Sequence, residues 1–315
     1  MSEPDSVAAL ETIEGAPGTP TSSVTEAGKS RTLAGDAWET LRGSWVFWGS
    51  LVLIAIFLVM AAWPGLFAHA DPRDCQAMRA RQEPSGSAWF GYDVQGCDVY
   101  ARTMYGARAS IIVGSLSTLM AMIVGAGIGV YAGFYGGWVD ILLSRVTDIF
   151  IGIPILLGSI IILSSIPTPP GSDFLNIAKV ALAISVLSWP STARVARSAV
   201  IQVKQSDFVA ASRALGASQS WMIRKHIIPN AAAPVIVITT ISLGGYIGAE
   251  ATLSFLGIGL QPPVISWGIA INDAAPYIRS TPHMLLFPAL FLSLTVLAFI
   301  ALGDVVREAL DPKTM

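Results

Sequence analysis

Few residues of this 315-residue sequence carry the chemistry of a catalytic or metal site. The three histidines, His69, His226 and His283, fall in separate segments without the spacing of a metal-ligand set. The two cysteines, Cys75 and Cys97, are too few for a disulfide-built scaffold or a cysteine-only zinc site. No His-Glu-x-x-His and no Gly-x-Ser-x-Gly occurs, so neither a zinc hydrolase nor a serine nucleophile on a sharp elbow is expected. Ala27–Ser30 reads AGKS, like the end of a phosphate loop, but Ser23 stands where the first glycine of that motif belongs. No catalytic residue, metal site or ATP site is expected. What remains is charge in unusual surroundings: Glu250 inside an apolar run, Asp140, Arg145 and Asp148 at the start of another, and the basic stretch DFVAASRALGASQSWMIRKHIIPN at 207–230.

That stretch reads as two short helices. Phe208, Ala211, Ser212 and Leu215 fall at i, i+3, i+4 and i+7 and make one small apolar face. Gly216 can take the left-handed conformation that ends a helix. Ser218 then caps a second helix carrying Trp221, Ile223, Ile227 and Ile228, and Pro229 stands where that helix breaks or kinks. Periodicity leaves two readings: a docking surface of small residues, or an amphipathic helix resting on lipid with Trp221 as its anchor.

The elements that must position these residues are apolar spans. Hydrophobic residues make up 53% of the chain and charged ones only 13%, against about 25% in an ordinary soluble domain. The net charge of −2 gives no reason to expect a nucleic-acid partner. A bilayer core takes about 20 apolar residues in helical form. Six runs meet that need: Trp45–Trp63, a stretch within Ala109–Tyr135, one within Ile149–Leu163, a weaker one over Phe174–Trp189, one within Pro234–Ile258, and Met284–Leu302. The expected fold is all-α, a polytopic membrane protein with six transmembrane helices. Its expected divisions are a disordered cytoplasmic tail at 1–43, a first span at 44–64, an outer loop at 65–106, a core at 107–308 with a loop at 194–230, and a C-terminal tail at 309–315. Trp189 before Pro190 reads as an interfacial anchor and helix stop. The glycine-rich run Gly125–Gly133 reads as a seam for close helix approach.

Six spans put both termini on one side, and Lys and Arg decide which. The loop after the fourth run holds Arg194, Arg197, Lys204, Arg213, Arg224 and Lys225 against Asp207 alone. The first outer loop holds five arginines, but it is long and carries five acids, so it weighs less. The reading is N-in, C-in, at the cytoplasmic membrane. Both cysteines then lie outside, where oxidising conditions permit a Cys75–Cys97 disulfide that pins the outer loop; two free thiols are the alternative. Glu250 lies about 16 residues into its run, ~25 Å along a helix. It either lines an outer gate or makes a structural hydrogen bond. Asp140, Arg145 and Asp148 read as an interfacial cluster rather than as ligands for a substrate.

The 207–230 stretch resembles the EAA loop of ABC-importer permeases, whose pattern is Glu-Ala-Ala, three residues, Gly, nine residues, Ile, any residue, Leu-Pro. Ala210, Ala211 and Ser212 fill the triplet, Gly216 falls on the Gly, His226 on the Ile, and Ile228 and Pro229 on Leu-Pro. The first Glu is Ala210 here, so a salt bridge from that position does not carry over. Four further stretches resemble the C-type subunit of dipeptide and oligopeptide permeases: WFGYDVQGCDVYARTMYGARASIIVG (89–114), GGWVDILLSRVTDIFIGIP (136–154), EATLSFLGIGLQPPVISWG (250–268) and LGDVVREALDPK (302–313). Cys97 stands where that family usually has Arg.

The resemblance implies a permease subunit of an ATP-driven importer for di- or oligopeptides, with relatives that handle nickel, glutathione or sugars. Its implied partners are a paralogous six-span permease, two cytoplasmic ABC ATPase subunits that hold the ATP and Mg, an extracytoplasmic substrate-binding protein and the lipid bilayer. Asp207, Ala210, Ala211, Ser212, Gly216 and Pro229 become the expected ATPase-coupling residues. An ion-coupled carrier working alone is the competing class, and ionisable groups near the midplane, which it would need, are nearly absent from the runs.

Overall fold

The computed structural model describes residues 33–167 and 171–310. The AGKS stretch and most of the N-terminal tail lie outside these residues, as do 311–315. Helices dominate, and among the described residues the only β-type pairing is an isolated bridge between Tyr92 and Asp98. In chain order the helices are α1 (Leu33–Gly43), α2 (Trp45–Ala62), α3 (Val99–Tyr135), α4 (Gly137–Ile151), α5 (Ile155–Ser165), α6 (Asp173–Lys204), α7 (Asp207–Ala214), α8 (Gln219–Met222), α9 (Ile228–Phe255), α10 (Trp267–Ala274) and α11 (His283–Ala309). A π turn over Ile223–Ile227 joins α8 to α9. Among the described residues five helical stretches are long and apolar enough to cross a bilayer, and α4 with α5, a bent pair, has the combined length and composition for a sixth.

Several boundaries differ from the sequence reading, each for a physical reason. Residues 33–43, placed in the disordered tail, form α1, which packs on α11. The core starts at Val99 rather than at 107, because Asp98 caps α3 by accepting the amides of Tyr100 and Ala101. The arginines of that first stretch, which made it look like loop, are matched. Arg102 pairs with Asp93, and Arg108 donates to the carbonyls of Ala61 (2.9 Å) and Ala62 (2.8 Å) at the end of α2. The third run is two helices meeting at 84° across Gly152–Pro154.

Pro190 does not stop the fourth span. α6 runs through it to Lys204, so residues 194–204, counted in the loop, are helical. Neighbouring helices enclose that turn, which lets a membrane helix keep a proline. Trp189 is buried, not interfacial, and its ring meets Phe150 at 5.3 Å. Pro229 sits in the first turn of α9, directly after the π turn, so the helix is distorted where the sequence placed a break or kink, and it continues to Phe255.

The centre of the bundle is the α3–α6 pair, and glycines set its spacing. A Cβ on Gly125 would fall 2.5 Å from the Trp189 carbonyl oxygen, one on Gly129 2.5 Å from that of Ala193, and one on Gly133 2.9 Å from that of Arg197. Three glycines at i, i+4 and i+8 thus bring two backbones together, as small residues do where hydrocarbon gives helices no hydrophobic reason to associate.

On the opposite side of the bundle the loop before α3 is closed by a Cys75–Cys97 disulfide, as expected. Backbone bonds lace it further, from Gln76 N–H to the Gly96 carbonyl (3.2 Å) and from Tyr92 N–H to the Gln82 carbonyl (3.0 Å). Non-reducing peptide mapping is expected to yield Cys75 and Cys97 in one linked peptide pair. Paired Cys75→Ser and Cys97→Ser substitutions are expected to cost about 2–4 kcal/mol, read as faster protease nicking at residues 70–98.

Candidate functional site

At the basic end of the bundle only Gln205 and Ser206 separate α6 from α7. Asp207 stands in the first turn of α7, where a carboxylate suits the partial positive charge of a helix start. One residue seats this helix. Val209 is fully buried in a cluster with Phe134, Val200, Met222 and Ile227, which belong to α3, α6, α8 and the π turn. The face singled out in the sequence points outward instead: Phe208 is 44% exposed, Leu215 89%, and Ala210 and Ala211 are exposed with them.

Gly216 closes the helix at φ +81° with nothing within 4 Å of a notional Cβ. Backbone conformation, not crowding, calls for glycine there. Ser218 caps the next helix by accepting the Trp221 amide, as its position implied. Ser212 is held rather than free. Its hydroxyl donates to the Phe208 carbonyl at 2.9 Å and lies 3.0 Å from His226 Nε2, so the imidazole N–H donates to Ser212. Phe208 and Trp221 flank the same imidazole at 5.7 and 5.0 Å. The Asn230 amide anchors the His226 carbonyl at 2.6 Å. His226, standing where the loop pattern has Ile, therefore clasps α7 to the π turn.

Five of the six expected coupling residues, Asp207, Ala210, Ala211, Ser212 and Gly216, share this short element. Pro229 lies apart at the foot of α9. Val209 and the Ser212–His226 clasp were not foreseen. A single buried valine in an eight-residue helix leaves no periodicity to read, and a serine–histidine pair 14 residues apart has no spacing signature.

Beside this element, the charges read from the sequence as an interfacial cluster are paired. Arg197 grips Asp140 with two hydrogen bonds, the Nη2 one at 2.7 Å, and Ser144 donates to the same carboxylate. Arg194 reaches Asp148 at 3.0 Å, and Arg145 approaches it at 3.7 Å. The cluster fastens α4 to α6. Of the two readings for Glu250, the structure shows the structural hydrogen bond: the side chain is fully buried, and Ser254 donates to its Oε1 at 2.8 Å. Ser254 in turn accepts the Leu260 amide at 3.0 Å, which folds the following loop back onto α9. Among the described residues no group of His, Cys, Asp and Glu has the arrangement of a metal site.

Residues 125–315 match the family of the binding-protein-dependent transport system inner membrane component. The chain belongs to that family. This inner membrane component is similar along most of its length to the dipeptide transport system permease protein DppC of Bacillus subtilis (strain 168). The two are 38% identical over 280 residues, covering 88% of this chain and 85% of the relative. The oligopeptide permease OppC of the same organism is 35% identical, with 90% and 91% covered. The glutathione permease GsiD of Pectobacterium atrosepticum is also 35% identical, with 75% and 76% covered. A solved inward-facing MetNI methionine ABC transporter shares the fold, at TM-score 0.52, 19% identity and coverage of 66% of this chain and 96% of that one. The inner membrane component is thus a permease subunit of an ABC importer, and such a subunit works with an ATPase and a substrate-binding protein.

Proposed function

We propose that this chain is the permease subunit of an ATP-driven importer of di- and oligopeptides, and that it forms half of the passage beside a paralogous six-span permease. In this reading α7 through Gly216 is the coupling helix, seated in a groove on one of two cytoplasmic ATPase subunits. One observation carries it: an apolar surface of Phe208, Ala211 and Leu215 stands exposed on a helix that Val209 and the Ser212–His226 clasp fix to the spans. A helix merely resting on lipid has no use for such a clasp, whereas a lever needs a close-fitting face and a stiff root. The dipeptide and oligopeptide relatives support the substrate class.

ATP and Mg are held by the ATPases, and binding of ATP draws those subunits together and displaces α7. The spans then turn outward to receive cargo from the docked extracytoplasmic binding protein, and hydrolysis resets them. Reconstitution tests this. With its partners the chain is expected to accumulate labelled dipeptide when ATP is supplied; alone it is expected to accumulate nothing. Uphill accumulation by the purified chain without companions would overturn the proposal in favour of a carrier acting alone. Uptake of glutathione, nickel or a sugar with no uptake of peptides would move the substrate and leave the coupling intact.

A further inference from the structure

The third apolar run is not one continuous helix. Between Ile151 and Ile155 the chain turns by 84°. As at the start of any α-helix, the amides of Ile155, Leu156 and Leu157 have no acceptor within the helix, and the Gly158 amide closes onto the Pro154 carbonyl at 2.9 Å. Irregular backbone with unpaired amides does not persist against lipid tails; it is found where protein or water covers it.

The break borders a cavity of about 560 Å³, within the range of sites that take small ligands. Facing the break across this cavity are Ser188, Pro190 and Ser191 of α6 and Ser242, Gly245 and Tyr246 of α9. At 1.5 Å per residue, Ser191 lies ~27 Å from the start of α6 and ~20 Å from its end, and Ser242 ~21 Å from the start of α9. The cavity is therefore near mid-depth. No Asp, Glu, His, Lys or Arg lines it. The Ser188 hydroxyl is committed to the Ile184 carbonyl at 2.8 Å, while those of Ser191 and Ser242 make no hydrogen bond among the described residues.

We propose that this concave face is the chain's wall of the peptide passage, and that Ser191 and Ser242 contact cargo through its main chain. The proposal rests on the reading of the chain as a peptide permease. Two features agree on a wet face: a break in the backbone, and hydroxyls without a partner in the cavity that it borders. An extended peptide presents the same main-chain N–H and C=O groups whatever its side chains are. An uncharged wall of hydroxyls meets those groups without sorting cargo by side-chain charge, which leaves sorting to the binding protein.

The test uses the complete transporter with its partner subunits in proteoliposomes. Cys75 and Cys97 are bonded to each other, so single Ser191→Cys, Ser242→Cys and control Leu297→Cys variants each carry one free thiol. A charged, water-soluble methanethiosulfonate is expected to label positions 191 and 242 at least tenfold faster than 297 in one or more nucleotide states. Saturating dipeptide, delivered with the binding protein, is expected to slow that labelling. No labelling at 191 and 242 in any nucleotide state would mean that another chain fills this face, and would overturn the proposal.

As a second arm, Ser242→Asp is expected to shift the uptake ratio of a lysine-containing over a glutamate-containing dipeptide about tenfold, with Ser191→Asp as the alternative should the first not assemble. An unchanged ratio in an assembled variant would overturn the cargo contact. Fast labelling at both positions in a transporter that takes up no peptide would support a water-filled passage and sink the peptide reading instead.

Discussion

Gly216→Asp abolishes peptide uptake and leaves the chain in the membrane at its normal level. The backbone at Gly216 has φ +81°, and an L-residue held there costs roughly 1–2 kcal/mol, too little to unfold a bundle joined along entire helices. A side chain at this position meets nothing inside the chain, because no atom lies within 4 Å of its Cβ. Whatever the carboxylate disturbs therefore belongs to a partner. It would stand beside the exposed Leu215, and burying it unpaired against an apolar groove on the ATPase carries a penalty large enough to prevent docking. Three measurements decide this: ATP-driven uptake, the amount of chain in the membrane, and the amount of ATPase that co-purifies. Gly216→Ala carries the same backbone strain without the charge, and it should keep most of the uptake. Normal uptake by the Asp variant would remove the coupling role from this turn.

Gly129→Leu prevents assembly of the bundle. The added Cβ alone would fall 2.5 Å from the Ala193 carbonyl oxygen, 2.7 Å from the Ala196 Cβ and 2.9 Å from the Arg197 amide nitrogen. Two of these three atoms are backbone, so no side-chain rotation relieves the contact, and α6 must move away from α3. Overpacking typically costs 1–3 kcal/mol, and here the displaced segment also carries Arg197, whose two bonds to Asp140 hold α4. Gly127→Leu is the matched control, since nothing lies within 4 Å of that position. Detergent-extracted Gly129→Leu protein is expected in the aggregate fraction, and Gly127→Leu protein in the monodisperse one. Equal behaviour of the two would mean that α3 and α6 are not in contact as described.

Much of this was legible in the sequence, and the misses share a cause. Uncharged runs of bilayer length are a signal that composition alone carries, and five long helices and one bent pair lie where those six runs were placed. The left-handed Gly216, the Ser218 cap and the glycine seam were also readable, because each depends on local backbone chemistry. What failed were stops inferred from single residues. Pro190 and the arginines at 102 and 108 look like boundaries in one dimension. Each is accommodated by a partner distant in sequence: enclosing helices at Pro190, Asp93 for Arg102 and the end of α2 for Arg108. The pairing of Asp140 with Arg197, 57 residues on, is invisible for the same reason. Glu250 was left between an outer gate and a structural hydrogen bond, because depth along a helix says nothing of which way a side chain faces; it makes the hydrogen bond, to Ser254.

The glycine seam also sets what α6 can do. Two backbones in contact at three points over about two turns cannot slide past each other, so α3 and α6 bend and tilt as one doubled strut. At its inner foot this strut is joined to α7 by two residues, and at its outer head Asp173 meets Arg73 of the disulfide-closed loop at 3.7 Å. Thirty-two residues of helix, about 48 Å, thus run unbroken from the foot of α7, the proposed lever, to the loop at the other end. A tilt at the foot is geometrically a displacement at the head, and both faces of the membrane feel a single stroke.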